Sequence, residues 1–433
     1  MKTAFRRLAA IFLEFQTRRL MSKRTFKVVG VSGAVGKTTT KIAIATVLNQ
    51  KYNVLVQRGS FNDEIGLPLA CFNIGLPGHI LNPFSWLRIL FQMEMRLHQP
   101  YPYDVLVIEI GTDAPGEVPH TLTYVKPDIG VVTAVTPEHM EFFKTLDAVA
   151  KEELALAGGS TQVVVNGEDI EAKYRHKYLD HHPAHFTYGL LAKNDYSFRV
   201  AETSLIDGTT GALLKNGHAT VVGITTGLHG AHSAKVAAAA YAVGDLMGLS
   251  KKQLEDGVQA IRPVSGRMNP LPGLNGSTII DDTYNSSPEA ALAALKALEE
   301  TSATRRIAIM GSMNELGADS PRYHVEVGAA YAGVDLLVTI GKLANAHLGP
   351  AAVAAGLDPT RWQSADSPHA AGEYLKLLLQ PGDVVLAKGS QNGVFAEEAV
   401  KLLLADPTDA AKLVRQSPAW QRTKDAQFPD GAV

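Results

Sequence analysis

The sequence predicts an α/β protein: a central, mostly parallel sheet carrying a phosphate loop, then a smaller Rossmann-like domain. Three observations predict it. Residues 28–41, VVGVSGAVGKTTTK, pass from β-branched residues through a glycine-rich turn into a helical pattern. Continuous apolar runs such as DVLVIEI (104–110) and PDIGVVTAV (127–135) alternate with helix-length segments, as parallel strands covered on both faces do. Composition then shifts at residues 261–276, IRPVSGRMNPLPGLNG, rich in proline and glycine, and a second strand–helix series follows.

Taken in order, residues 1–25 read as an amphipathic helix. Phe5, Leu8, Ala9, Phe12 and Phe15 form one stripe, and Glu14, Gln16, Arg18 and Arg19 interrupt any signal-peptide or membrane-spanning run. Packing of that stripe on the domain is the expectation, with a membrane surface as the alternative. The central domain is expected over 26–260. It opens with a strand at 26–31, a helix at 37–49 and a strand at 53–58 that runs into a polar loop bearing Asn62. A helix over 81–98 shows Trp86, Leu87, Leu90, Phe91 and Met95. Glu109 ends one buried strand, and Glu138, His139 and Glu141 follow the next. A helix carrying Lys151, Glu152 and Glu153 precedes a strand at 162–166. Short alternating runs over 169–223 read as an antiparallel appendage, and 230–248 as an alanine-rich helix with His229 and His232 at its start, as caps or ligand contacts. The second domain is placed at 261–410 with a hinge near Arg262, and 411–433 as a frayed polar tail.

Bulk properties exclude several classes. The 433 residues exceed one hydrophobic core. A net charge of −2 lacks the basic field of a general nucleic-acid binder. The single cysteine, Cys71, excludes an intrachain disulfide and a thiolate metal cluster, and reads as a buried small side chain.

The chemistry concentrates in the glycine-rich turn. Successive backbone N–H groups of such a turn hold a phosphate chain, the lysine reaches the outer phosphates and the following hydroxyl ligates Mg²⁺. Here these are Gly33, Ala34, Val35, Gly36, Lys37, Thr38 and Thr39, although Val31 stands where the strict motif has its first glycine. The chain is therefore expected to bind a nucleoside triphosphate. Glu109, at the end of a neighbouring strand, is placed for a Mg²⁺ contact, since a glutamate inside such a strand is costly without a partner.

Several further segments accompany the loop: IEIGTDAPGEV (108–118), VVTAVTPEHMEFFKTLDAVAKEE (131–153), SGRMNPLPG, IIDDTYNSSPEA (279–290), MGSMNELG (310–317) and VVLAKGSQNGVF (384–395). Together they resemble the Mur ligase superfamily, and within it the D-alanyl-D-alanine-adding branch. The resemblance implies ATP and Mg²⁺ as cofactors and a peptide carboxylate activated as an acyl phosphate, then captured by an amino acid or dipeptide. It implies Thr38 and Glu109 on a first Mg²⁺, and His139 and Glu153 on a second. Glu153 falls where the family carbamylates a lysine, with Lys151 as the alternative. Arg267, Asp282, Tyr284 and Asn285 would close over nucleotide and acyl phosphate. Asn62, Asn314, Glu315, Lys388 and Ser390 would meet the substrates. The second domain would swing shut after ATP binds.

The family's N-terminal uridine-binding domain has no counterpart before the loop. The match to its HN pair is His232–Ser233, and Gln391 replaces an arginine. A muropeptide acceptor is expected in the cytoplasm, at the inner membrane face or presented by a partner. The alternatives are lipid-linked, folate-like or amino-acid-polymer acceptors, or a non-catalytic ATP-gated scaffold.

Overall fold

The computed structural model describes residues 2–23, 25–57, 59, 64–76, 83–331 and 333–428, so Asn62 lies outside the described residues. The chain forms two units. The first comprises Met1–Ala201, Gly211–Thr226 and Ala234–Ile261, and the second Glu202–Thr210, Gly227–Ser233 and Arg262–Val433. The last crossing between the units falls between Ile261 and Arg262. Two short segments from inside the expected central domain, 202–210 and 227–233, also belong to the second unit.

The first sheet contains β1 (Lys27–Ser32), β2 (Val54–Val56), β3 (Val105–Glu109), β4 (Ile129–Val132), β5 (Gln162–Asn166), β6 (His185–Gly189), β7 (Tyr196–Ser204), β8 (Gly208–Lys215) and β9 (His218–Thr226). Their spatial order is β2-β3-β1-β4-β5-β6-β7-β8-β9. The parallel core pairs Val31 with Glu109 and Ser32 with Val132, so the carboxyl ends of β1, β3 and β4 share one edge. Ligands bind outside that edge in open parallel sheets. β3 and β4 are wholly buried, as continuous apolar runs require. β6, β7, β8 and β9 continue the same nine-stranded sheet, with β6 parallel to β5 and β7 parallel to β6, so the segment expected as an antiparallel appendage is an extension of the main sheet. Cys71 is buried in the first core and its thiol is pushed up to about 12 by desolvation, which makes it an inert apolar group.

Two helices of the first unit differ from expectation in which face they bury. On the Lys2–Ser22 helix, Leu13, Gln16, Thr17 and Leu20 face inward, while Leu8, Ile11, Phe12 and Phe15 face outward. On the Pro83–Leu97 helix, Trp86, Ile89, Met93 and Leu97 are buried, while Phe84, Leu87, Phe91 and Met95 are exposed. Each helix is apolar on two faces, so periodicity identified a stripe and not its covered side.

The second sheet holds β10 (Asn269–Pro272), β11 (Thr278–Asp282), β12 (Arg305–Gly311), β13 (Leu336–Ile340), β14 (Trp362–Ala365) and β15 (Asp383–Lys388), in the order β10-β11-β15-β12-β13-β14. β10 is antiparallel to β11, and the other pairings are parallel. Along its strands the side chains alternate between two cores. Ile280, Ala308, Met310, Leu337 and Leu386 enter one; Ile279, Ile307, Ile309, Val338 and Val385 enter the other. A sheet covered on both faces in this way is doubly wound.

The described part of the tail, to residue 428, is not frayed. The Pro418–Gln427 helix starts at Ser417, whose hydroxyl accepts from the Trp420 N–H, and Lys424 is buried within it. Lys424 Nζ donates to Glu397 Oε1 at 2.9 Å and to Glu398, and Arg415 forks onto both oxygens of Glu397 at 2.8 and 2.7 Å.

Candidate nucleotide and ligase site

The phosphate loop is built on two left-handed glycines. Gly33 has φ +122°, and a Cβ there would stand 2.2 Å from Thr133 Oγ1, so no side chain fits. Gly36, at φ 86°, precedes the Lys37–Leu48 helix with no side-chain cap. An uncapped helix N-terminus at a sheet edge is an anion site. Lys37 Nζ folds back to the carbonyls of Gly33 (2.6 Å) and Ala34 (3.2 Å) and lies 3.3 Å from Glu138 Oε2. Burial opposes its charge, and Glu138, Glu153 and Glu109 outweigh that, holding the ammonium above the ordinary lysine range.

Beside the loop, Thr38 Oγ1 donates to Glu109 Oε2 at 2.9 Å, and the Glu109 N–H donates to Gln57 Oε1 at 2.7 Å. The cost of burying Glu109 is met by a residue that the sequence reading missed. Lys41, fully buried, reaches Glu109 Oε2 at 3.2 Å and the Gly59 carbonyl at 2.6 Å. One signal could have found it. Lys41 lies four residues after Lys37, on the helical stripe shared with the buried Ile44 and Leu48.

Glu153 is buried against the loop itself. One of its carboxylate oxygens, Oε2, accepts from the Ser32 hydroxyl and from the Gly33 N–H (2.6 Å). Burial raises its pKa, while Lys37 and the Ser32 hydrogen bond pull the other way. The alternative, Lys151, is exposed, because two residues along a helix turn it about 200° away from Glu153. Glu152 accepts from the N–H groups of Gly116 (2.8 Å) and Val118 (2.7 Å), fixing the start of the Glu117–Leu122 helix.

His139 adopts the left-handed conformation, φ 49°, which is uncommon for a non-glycine residue. Its Nε2 lies 3.6 Å from Asp113 and 3.8 Å from Glu138. Glu138 thus joins Lys37 to His139. Among the described residues no three acidic, histidine or cysteine side chains converge as a metal cage. Thr38 and Glu109 do fit Mg²⁺, a hard cation that takes one or two protein oxygens and completes its shell with phosphate and water.

The second unit gathers most of its expected residues at the carboxyl ends of β11, β15 and β12. Lys388 Nζ, buried, donates to Asp282 Oδ2 (2.7 Å) and to the Asn285 carbonyl (3.0 Å). The Asn314 amide donates to the carbonyls of Gln391 (2.7 Å) and Asn392 (2.8 Å), and its N–H donates to Ser390 Oγ (3.0 Å). Glu315 next to it is left-handed at φ 65°. The Arg267 guanidinium stacks 4.2 Å over the Tyr284 ring, and Arg415 holds the Tyr284 and Thr283 carbonyls at 2.9 and 2.6 Å. His324 was also missed. Fully buried, its Nε2 accepts from the Met313 N–H (2.9 Å), so Nδ1 carries the proton toward the Ser320 carbonyl (2.7 Å) and the ring is a neutral brace for the 313–315 turn. His229, counted with this unit, is buried, and desolvation lowers its pKa.

Asp281 is fully buried and accepts from the Gly266 N–H (2.9 Å) and the Thr283 hydroxyl (2.5 Å). Desolvation exceeds these donors, and its carboxyl is pushed up to about 6. The unfolded carboxyl ionises near 3.9, so stability carried by this group is full below about pH 4 and is lost as pH rises through 6. The shift corresponds to about 3 kcal/mol. Urea unfolding between pH 4 and 7 should show that slope in the wild type and not in Asp281→Asn; equal slopes would refute the assignment.

The comparisons agree with this fold. Residues 88–244 match the Mur ligase middle domain, and 266–391 match the Mur ligase glutamate ligase domain. The chain is 28% identical over 390 residues to the UDP-N-acetylmuramoyl-tripeptide–D-alanyl-D-alanine ligase of Synechocystis sp., covering 89% of this chain and 76% of that one. The same-named Bacillus subtilis enzyme is 28% identical over 416 residues, with 94% and 80% coverage. The fold matches the MurF ligase of Thermotoga maritima, solved in complex with ADP, at a TM-score of 0.72 and 24% identity, covering 91% of this chain and 83% of that one. Two Mur ligase domain models in sequence, spanning well over half the chain and landing on the two units just described, settle the classification: the chain belongs to the Mur ligase family.

Proposed function

We propose that the protein is an ATP-dependent, ADP-forming ligase that adds D-alanyl-D-alanine to a muramyl tripeptide during peptidoglycan precursor synthesis. The observation that carries the chemistry is the uncapped Lys37–Leu48 helix end, with Lys37 inside the loop and the Thr38–Glu109 pair beside it. The acceptor and donor follow from the names of the relatives.

In the first step a carboxylate oxygen of the tripeptide attacks the γ-phosphorus of ATP. The bond to the β–γ bridging oxygen breaks and ADP leaves. The dipeptide amine then attacks the acyl carbon, phosphate departs, and the nitrogen loses a proton as the amide forms. Gly33, Ala34, Val35, Gly36 and Thr39 supply the loop that cradles the phosphates, and Lys37 offsets charge on the transferred group. Thr38 and Glu109 would hold Mg²⁺, which when bound neutralises phosphate charge. Lys41 keeps the Glu109 carboxylate aimed. Glu153 fixes the loop through Ser32 and Gly33, and His139 with Glu138 positions Lys37 from the far side. From the second unit, Arg267, Asp282, Tyr284 and Asn285 serve the nucleotide and acyl phosphate. Asn314, Glu315, Lys388 and Ser390 serve the incoming amine.

We place the reaction in the cytoplasm, where ATP and soluble precursors meet. No described helix is long and apolar enough to cross a membrane.

The test is ADP release by the purified protein with Mg²⁺-ATP, D-alanyl-D-alanine and UDP-N-acetylmuramoyl-tripeptide, with the product identified by mass. A pentapeptide product is expected. Acceptor-independent ADP release, or none, would overturn the substrate assignment. Glu109→Gln should raise the half-saturating Mg²⁺ concentration about tenfold or more, and, since it also takes the carboxylate from the buried Lys41, the titration is read on protein that circular dichroism shows to be folded. An unchanged Mg²⁺ titration would remove Glu109 from the metal site.

A further inference from the structure

The outward faces of the Lys2–Ser22 and Pro83–Leu97 helices are not used by the chemistry above. The two helices are clamped together, since Arg19 forks onto Glu94 at 2.6 and 2.9 Å and Gln16 donates to the same carboxylate at 3.3 Å. Their inward faces are already satisfied by the first core, through Leu13, Leu20, Trp86, Ile89 and Met93. What remains outside is strongly apolar. Leu8 is 68% exposed, Ile11 65% and Phe15 56% on one helix; Phe84 is 77%, Leu87 60% and Phe91 67% on the other. Spacings of three, four and seven residues put each set on a single face. Scattered exposed hydrophobics need no explanation, but large ones collected on two clamped helices mark an interaction surface.

Charge says what kind of surface. Arg7 lies four residues before Ile11, and Arg88 lies between Phe84 and Phe91 on the same helical stripe. Both are exposed and carry no ion pair among the described residues. The two carboxylates on these helices are taken up elsewhere: Glu14 by Arg18 at 2.6 Å, and Glu94 by Arg19. The face is therefore apolar and cationic with its acids neutralised, the pattern of helices that lie in the interface of an anionic bilayer. Arginines set among apolar side chains can carry their stems into the acyl boundary and leave the guanidinium at the phosphates.

We infer that this two-helix face docks the protein onto an anionic phospholipid surface, helices parallel to the membrane plane. The inference does not depend on the ligase reading, because none of these residues belongs to the phosphate loop or to the second unit's cluster. A ligase held in this way would work within reach of membrane-bound acceptors without itself crossing the bilayer.

The test is co-sedimentation of the full chain with vesicles of phosphatidylcholine alone and with an equimolar phosphatidylcholine–phosphatidylglycerol mixture. Binding to the mixed vesicles, weak on the neutral ones and falling with added salt, is the expected result. Phe12→Ser combined with Phe91→Ser should lower the partition coefficient about tenfold or more, by removal of buried apolar area. Arg7→Glu combined with Arg88→Glu should abolish the preference for anionic lipid. All four positions are exposed, so unchanged melting temperatures should accompany both variants. Absence of binding to the mixed vesicles would overturn the proposal, as would binding insensitive to both variants. So would concentration-dependent self-association that Phe12→Ser and Phe91→Ser eliminate, since a second copy would then be the occupant.

Discussion

Replacing Lys37 by methionine lowers turnover about a thousandfold, the order expected when a preorganised cation at a transferring phosphoryl group is lost. It also lowers stability. The Lys37 ammonium faces Glu138, Glu153 and Glu109, and it is the main charge drawing the buried Glu153 toward ionisation. Without it the Glu153 carboxyl is driven further toward its neutral form, and the loop it braces through Ser32 and Gly33 loses a charged acceptor. A loss of about 3 kcal/mol is expected, within the range for breaking one partner out of a buried pair. Single-turnover ADP formation checks the first effect and urea unfolding the second. Turnover within a few fold of wild type would remove Lys37 from the chemistry.

Lys424→Met has the larger effect on stability, and none is expected on the phosphate loop. Glu397 is fully buried, and its only cations among the described residues are Arg415 and Lys424. Removing Lys424 leaves Glu397 with Arg415 alone and Glu398 with only the more distant Lys401 at 3.6 Å, at a cost of about 3–5 kcal/mol. Burial by itself would raise the Glu398 carboxyl, but Lys424, with Lys401 and Gln416, outweighs burial and holds it below the ordinary glutamate value. A depressed carboxyl contributes stability above its unfolded pKa and loses it as pH falls through the folded one. The difference between wild type and Lys424→Met should thus be full at pH 7 and shrink once the pH drops below about 4.3. Limited proteolysis should release the 418–427 helix in the variant first. Equal unfolding midpoints at neutral pH would sink this account.

The contrast between these two lysines shows what the sequence made legible. Lys37 was identifiable because its role is fixed by neighbours in the chain: glycines at set spacing, a strand before and a helix after. Glu109 was identifiable for a similar reason, as a charge at the end of an otherwise apolar strand. Lys424 was not, because its partners lie 26 and 27 residues away in a polar segment whose local pattern carries no sign of burial. Lys41 escaped for a related cause. A lysine inside a helix reads as a solvated surface residue unless the far-off carboxylate it meets is known. The mostly parallel core and the Rossmann-like second domain were readable from apolar runs and helix-length spacers; the order of the strands was not. Which apolar face of the two clamped helices points inward was not, because a periodic stripe has no label for its partner. His139 was found by its position after a strand, but the neighbours it acquires, Asp113 and Glu138, come from the fold of the loops.

The segments 202–210 and 227–233 mean that the chain passes from one unit to the other five times. Leu205, at the turn between β7 and β8, is 1% exposed and belongs to the core formed by Met268, Ile280, Leu295 and Leu337. During synthesis this leucine emerges well before the residues that will cover it. The nascent first unit must therefore leave a hairpin tip unfinished until the rest of the chain has been made, and the leucine is an exposed apolar site in the interval. A gene fragment ending at 261 would keep that tip permanently bare, and one starting at 262 would assemble around a hole. Neither half is a separable building block, and relatives of this architecture are expected to gain or lose modules at the ends of the chain rather than at the boundary between its units.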